Sequence, residues 1–160
     1  KNMGPAGTTL VVVKDDILGK TGRKIPSMLD YQIHISKESM FNTPPVFPVY
    51  VSMLTLEWLK GLGGIDGIEK INDEKAGVLY HEIDSNPLFN GVANKEDRSN
   101  MNVTFVLTDE TKKEKFDKMW KEAGISGING HRSVGGYRAS IYNAMPIESI
   151  QVLVDVMKAL

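Results

Sequence analysis

Three short clusters carry the residue types that could do chemistry. The first is Lys1, ahead of the Gly4-Pro5 turn in KNMGPAG. A lysine there can be reactive, and an ordinary surface lysine fits the same letters. The second is MFNTPP, residues 40–45. Asn42 and Thr43 offer backbone and side-chain donors just before a helix start, where N–H groups and the helix dipole can hold a phosphate. A plain N-cap would use the same residues. The third is GHRSVGGYRASIYN, residues 130–143, which gathers His131, Arg132 and Arg138 around the Gly135-Gly136 pair. Arginine grips carboxylates and phosphates through two parallel hydrogen bonds. Arg138 has apolar neighbours, so its charge needs a strong partner, either an anionic ligand or an internal carboxylate. Arg23 and Arg98 read as solvated surface residues. His34 and His81 lack companions at ligand spacing, so no metal site is read. Together the clusters suggest binding of small anions beside a reactive lysine, and they name no reaction.

Composition narrows the partners. Lys and Arg number 19 against 20 Asp and Glu, a net charge of −1. Nucleic-acid binding needs a local excess of basic residues, so it is not expected. A small basic pocket for an anionic metabolite remains compatible. There is no cysteine, which excludes disulfides, thiolate metal ligands and Cys nucleophiles. No apolar run approaches the roughly 20 residues that span a bilayer. No signal peptide is read at the start, and a cytoplasmic globular protein is expected. The 160 residues suit one domain, or one domain and part of another. The opening on Lys1 and a Gly/Pro turn reads as the middle of something, so a fragment or processed chain is expected.

The elements that must position these clusters follow from periodicity. TTLVVV, residues 8–13, is a continuous β-branched run that predicts a strand buried on both faces. Residues 15–19 read as one helical turn, and a short extended piece is expected near residues 30–35. Residues 46–60 predict a helix apolar almost all round, hence buried on several sides. Gly61, Gly63 and Gly64 end it and mark a domain boundary. Residues 66–84 predict an amphipathic helix opened by a capping box from Asp66 and Glu69. Residues 101–107 alternate as a half-buried strand. Residues 111–123 predict a helix with Gly124 as its C-terminal cap. Residues 137–142 alternate again, and Pro146 opens a last helix. The part after residue 64 is thus a small α+β layer, helices on a mostly antiparallel sheet.

The strings KNMGPAG, MFNTPP and GHRSVGGYRASIYNAMP, with RSNMNVTF at residues 98–105, resemble the phosphoserine aminotransferases in order and spacing across nearly the whole chain. The resemblance implies the α/β fold of fold type I transferases that use pyridoxal 5′-phosphate (PLP). Residues 1–63 would end the large PLP domain with an interdomain helix, and residues 64–160 would be the small C-terminal α+β domain. Lys1 stands where the family carries the lysine bonded to PLP. Asn42 and Thr43 match residues that reach the PLP phosphate of the neighbouring subunit, which implies a homodimer with shared sites. Arg138 matches the arginine that holds the substrate α-carboxylate. His131 and Arg132 match residues that receive the distal anion. The implied reaction moves an amino group from glutamate to 3-phosphohydroxypyruvate, giving 2-oxoglutarate and phosphoserine in serine biosynthesis. The chain would be the latter part of a protein roughly twice as long. The remaining PLP ligands would lie upstream of Lys1, so the fragment alone is expected to be inactive.

Two other readings stay open. One is a non-catalytic remnant that kept the fold as an anion-binding or dimerisation module. The other is a different fold type I enzyme, such as a lyase or another transaminase. The adjacent His131-Arg132 and the GGYRASIYN string argue against the latter, since they suit a phosphorylated three-carbon substrate.

Overall fold

The computed structural model describes residues 2–131 and 135–160. They fall into two compact units. One holds residues 3–58, and the other holds Asn2 with Leu59–Leu160.

The second unit has the core. The helix α3 (Gly64–Ser85) is followed by strand β1 (Phe89–Gly91), strand β2 (Asn102–Leu107), helix α4 (Lys113–Glu122), strand β3 (Tyr137–Ser140) and helix α5 (Ile147–Lys158). The strands form one antiparallel sheet in the order β1-β2-β3. Alternation decides its faces. Val103, Phe105 and Leu107 of β2 are buried with Tyr137 and Ala139 of β3, while Arg138 between them is exposed. Four aromatic rings lock sheet to helix: Phe105 stacks on Tyr137 at 5.3 Å, and Phe116 meets Phe89 and Tyr137 edge-on at 5.3 and 5.0 Å. Such offset and edge contacts add about 0.5–1.5 kcal/mol beyond the area buried. Leu79, Ile83, Leu153, Val154 and Met157 close the core from α3 and α5.

Three local expectations change here. Strand β1 was not expected; FNG is too short to show a period. The helix α3 has no capping box, since it starts at Gly64 behind Gly63, whose left-handed φ of +95° makes the turn. Arg98 is no solvated surface residue. Its side chain is only 13% exposed. Its Nη1 and Nη2 donate to the two Asp84 oxygens at 2.9 and 2.6 Å, and its guanidinium lies 4.5 Å over the Tyr80 ring.

The Arg98 pair makes stability depend on pH. Hydrogen bonding from Arg98 pulls the Asp84 carboxyl down to about 2, against a smaller upward push from burial and with help from Lys95. A depressed carboxyl stabilises the fold above its unfolded value. That contribution is lost as pH falls from about 4 towards 2. Asp84→Asn should therefore lower the melting temperature at pH 7, and the gap to the unaltered protein should narrow below pH 3. An equal gap at both pH values would contradict the linkage.

The first unit differs from its reading in three places. Residues 8–13 form no strand, and Leu10 and Val12 are 70% and 88% exposed. A strand is made by its ladder partners, and no described residue of this chain supplies one. Residues 30–35 are not extended but lie mostly in helix α1 (Tyr31–Ser36). Asp30 caps it by accepting the Gln32 N–H at 3.0 Å. The third difference concerns helix α2 (Val46–Gly61), whose last turn falls in the second unit. It forms as expected but buries no residue. Phe47, Tyr50, Met53 and Trp58 are all exposed. Apolar patches on this scale mark interaction surfaces or ligand grooves.

Candidate functional site

His131 and Arg138 line one small recess of about 160 Å³, with Val92, Thr104, Gly130, Gly135 and Tyr137. Backbone pairing builds it. Asn129 bridges Tyr137, and the Arg138 N–H donates to the Ile128 carbonyl at 2.7 Å. Gly130 N–H donates to Gly136 O and Gly135 N–H to His131 O, both at 2.8 Å, which ties residues 130–131 to 135–136. The glycines are needed there. Gly135 and Gly136 have φ of +74° and +64°, and a Cβ on Gly130 would collide with the Gly135 carbonyl. Arg132 lies outside the described residues, so its expected place beside His131 carries no geometry.

Arg138 sits on the open face of β3, paired in register with Thr104. No carboxylate among the described residues stands within ion-pair distance of it. The internal salt bridge left open from the sequence is therefore not formed among the described residues.

Its neighbour Tyr137 is anchored from below. The Tyr137 hydroxyl donates to Asp117 Oδ1 at 2.8 Å, Trp120 Nε1 donates to the same oxygen at 3.1 Å, and Lys113 Nζ reaches Oδ2 at 3.2 Å. Burial pushes the Asp117 carboxyl up, but these three donors outweigh it and hold it below its usual value. Burial and the facing carboxylate push the Tyr137 phenol well up. The cluster ties α4 to the strand that presents Arg138. Sequence reading missed it, although Lys113, Asp117 and Trp120 fall at i, i+4 and i+7 on one helix face.

Asn42 and Thr43 lie in the first unit, four and three residues before the first residue of α2. Both are exposed, and Asn42 Nδ2 donates to the Thr43 carbonyl at 3.2 Å. Asn42 lines an open cavity of about 760 Å³ with Thr8, Thr9, His34 and Ser39. The chain leading to it is held from both sides. His34 packs edge-on against Phe41 at 5.5 Å. The end of α1 closes through Ser39 N–H to His34 O at 2.8 Å and Glu38 N–H to Ile35 O at 3.0 Å. Glu38 and Ser39 take left-handed φ of +50° and +65° without being glycine. Such conformations cost on the order of 1–3 kcal/mol each and collect at functional sites. Lys1 lies outside the described residues.

Residues 1–153 match the family model described as aminotransferase class-V. The chain belongs to the class-V aminotransferases. A phosphoserine aminotransferase of Flavobacterium psychrophilum is 72% identical over 160 residues, covering 100% of this chain and 45% of its own length. That of Bacteroides fragilis is 55% identical over 99% of this chain and 45% of its own. Solved structures agree. A phosphoserine aminotransferase studied for radiation damage of its Schiff base is 48% identical, with a TM-score of 0.92, over 99% of this chain and 44% of that one. The enzyme of Bacillus circulans subsp. alkalophilus gives 40% identity and a TM-score of 0.92 over the same shares. The PLP-bound enzyme of Trichomonas vaginalis gives 37% and 0.76 over 84% of this chain and 39% of its own. This aminotransferase chain thus spans less than half the length of the relatives it matches, and it has the mixed α/β fold of their matching segment. Among its described residues, no cluster of His, Asp and Glu could hold a metal, and no helix is long and apolar enough to cross a membrane.

Proposed function

We propose that the full-length protein is a PLP-dependent phosphoserine transaminase, with this chain supplying the attachment lysine and the substrate anion sites. Glutamate would give its amino group, and 3-phosphohydroxypyruvate would receive it to become phosphoserine. The observation that carries the reading is the recess with His131 and an Arg138 that has no internal carboxylate among the described residues. A guanidinium left open beside an imidazole suits a substrate with two anionic ends. The names of the relatives support the same substrate class.

The donors present fit PLP. Asn42 Nδ2, the Thr43 hydroxyl and the first-turn N–H groups of α2 are neutral donors near a helix N-terminus, the chemistry that holds a phosphate ester. When bound, PLP supplies the electron sink that makes the substrate Cα acidic and carries the amino group between half-reactions. The chain's own residues do the rest. Lys1 Nζ would hold the cofactor covalently until the substrate's amino group displaces it, and the freed amine would then take the proton from the substrate Cα and return it. Arg138 fixes the α-carboxylate by charge-assisted hydrogen bonds. His131 and Arg132 take the distal phosphate or carboxylate. Because glutamate and phosphoserine both carry two anions, one pair of sites serves both half-reactions. Residues 1–63 would close the large PLP domain and residues 64–160 would form the small one. The cytoplasmic location expected from the sequence belongs to the same proposal.

Asn42 and Thr43 would serve the cofactor of a partner copy in a homodimer. Subunits with Lys1→Ala can be mixed with subunits carrying Asn42→Ala and Thr43→Ala, each inactive or weak alone. In a hybrid with shared sites, one site takes both defects and the other takes neither. Turnover of phosphoserine with 2-oxoglutarate should then reappear at about half the sites of each hybrid dimer. No recovery despite proven hybrids would contradict sharing.

A further inference from the structure

Lys75 is only 1% exposed and is among the largest fully buried side chains. A buried lysine is usually paired with a carboxylate. Among the described residues none stands within ion-pair distance of it. Its three N–H donors are instead shared among four backbone carbonyls within reach of Nζ: Tyr142 at 2.8 Å, Met145 at 3.2 Å, and Ile141 and Asn143 at 3.4 Å each. These carbonyls belong to the turn that leaves β3 just after Arg138. Asn72, one turn earlier on α3, donates from Nδ2 to Asn143 Oδ1 at 2.9 Å. The Asn143 N–H in turn donates to Asn2 Oδ1 at 3.1 Å. Asn2 Nδ2 rests on the Met101 sulfur at 3.3 Å. The contacts therefore run from a buried ammonium, through a turn, to the residue bonded directly to Lys1.

We propose that Lys75 is a positioning residue, which with Asn72 locks the 141–145 turn so that Asn143 holds Asn2 and thereby sets the backbone from which Lys1 works. The inference rests on the transaminase reading. An ammonium converging four carbonyls fixes the path of a turn in a way that an apolar side chain of equal volume does not. Asn2 and Asn143 are only half-buried and contribute no apolar side chain to the core. Their contacts are directional, and direction is what a proton-carrying amine requires. A small misplacement of such a group lowers turnover by up to about a hundredfold.

The test uses the full-length, PLP-loaded protein with Lys75→Met, Asn2→Ala and Asn2→Asp. Phosphoserine with 2-oxoglutarate gives kcat and KM, and amide hydrogen exchange is followed separately in cofactor-free protein. Lys75→Met and Asn2→Ala should lower kcat by about tenfold to a hundredfold. The phosphoserine KM should stay within about twofold, because His131 and Arg138 are untouched. Asn2→Asp keeps the acceptor for the Asn143 N–H and should recover most of the lost turnover. In cofactor-free Asn2→Ala protein the Asn143 amide should exchange about tenfold faster. A kcat within about threefold of the unaltered protein in Asn2→Ala would overturn the role, whatever the melting temperature. So would an Asn2→Asp no better than Asn2→Ala, or an unchanged Asn143 exchange rate. If Lys75→Met does not fold, the two Asn2 variants decide. No turnover in the unaltered protein would end the transaminase reading and this role with it, while the exchange measurement would still report on the contacts themselves.

Discussion

Lys1→Ala in the full-length protein is expected to lower kcat for phosphoserine and 2-oxoglutarate by about 10²–10⁴-fold or more. That range is what a positioned acid–base group contributes by itself. Lys1 would also hold the cofactor, so its removal takes away two functions at once. The anion sites are separate residues and should survive. Phosphoserine should therefore still bind, and the loss should fall on kcat, with KM changed far less. Steady-state kinetics at saturating PLP measure this. A kcat within about tenfold of the unaltered protein would place the proton-carrying group elsewhere.

The second large effect separates the two anion sites. Arg138→Ala should weaken glutamate, phosphoserine and a poor substrate such as alanine alike, since all three carry an α-carboxylate. Arg132→Ala should weaken phosphoserine and glutamate but leave the kcat/KM of alanine nearly unchanged, since alanine has no distal anion. Loss of a charge-assisted hydrogen bond costs about 1.5–3 kcal/mol, or about tenfold to a hundredfold. The comparison is made within each variant, so a general loss of folding cannot imitate it. Equal damage to alanine and phosphoserine in Arg132→Ala would assign that arginine a structural part instead.

What could be read from the sequence follows from how local each signal is. The alternation at residues 101–107 and 137–142 showed which side chains face the core, and it put Arg138 opposite Ala139 and Ile141, which are buried while Arg138 is exposed. The helices α4 and α5 were equally legible, the first ahead of Gly124 and the second behind Pro146. Residues 8–13 misled because a β-branched run states a propensity, whereas a strand needs a partner to pair with. Residues 30–35 misled because the alternation of Ile33 and Ile35 with His34 imitates a strand, while the deciding signal was the Asp30 cap. Arg98 was misread because its partner Asp84 lies 14 residues away, across β1. Lys75 sits beside Asp73 and Glu74 and looks like a solvated face. Yet Asn72, Lys75, Ala76, Leu79, Glu82 and Ile83 follow one helical stripe, and all six are buried. That stripe was the available sign that three polar residues of α3, Asn72, Lys75 and Glu82, point inward.

Of the site itself, the sequence brought His131 and Arg138 close through their spacing around the glycine pair, and both line one recess. The Asp117 anchor beneath Tyr137 could not be read the same way, because it joins residues 20 apart from a helix and a strand.

The transaminase chemistry proposed for this chain depends first on where the cofactor is attached. The full-length protein loaded with PLP can be reduced with borohydride, digested, and its peptides sequenced by mass spectrometry. The pyridoxyl label is predicted on Lys1, in the peptide that continues Asn2-Met3-Gly4-Pro5. A label on Lys14, Lys20, Lys75 or any other lysine, with Lys1 unmodified, would contradict it.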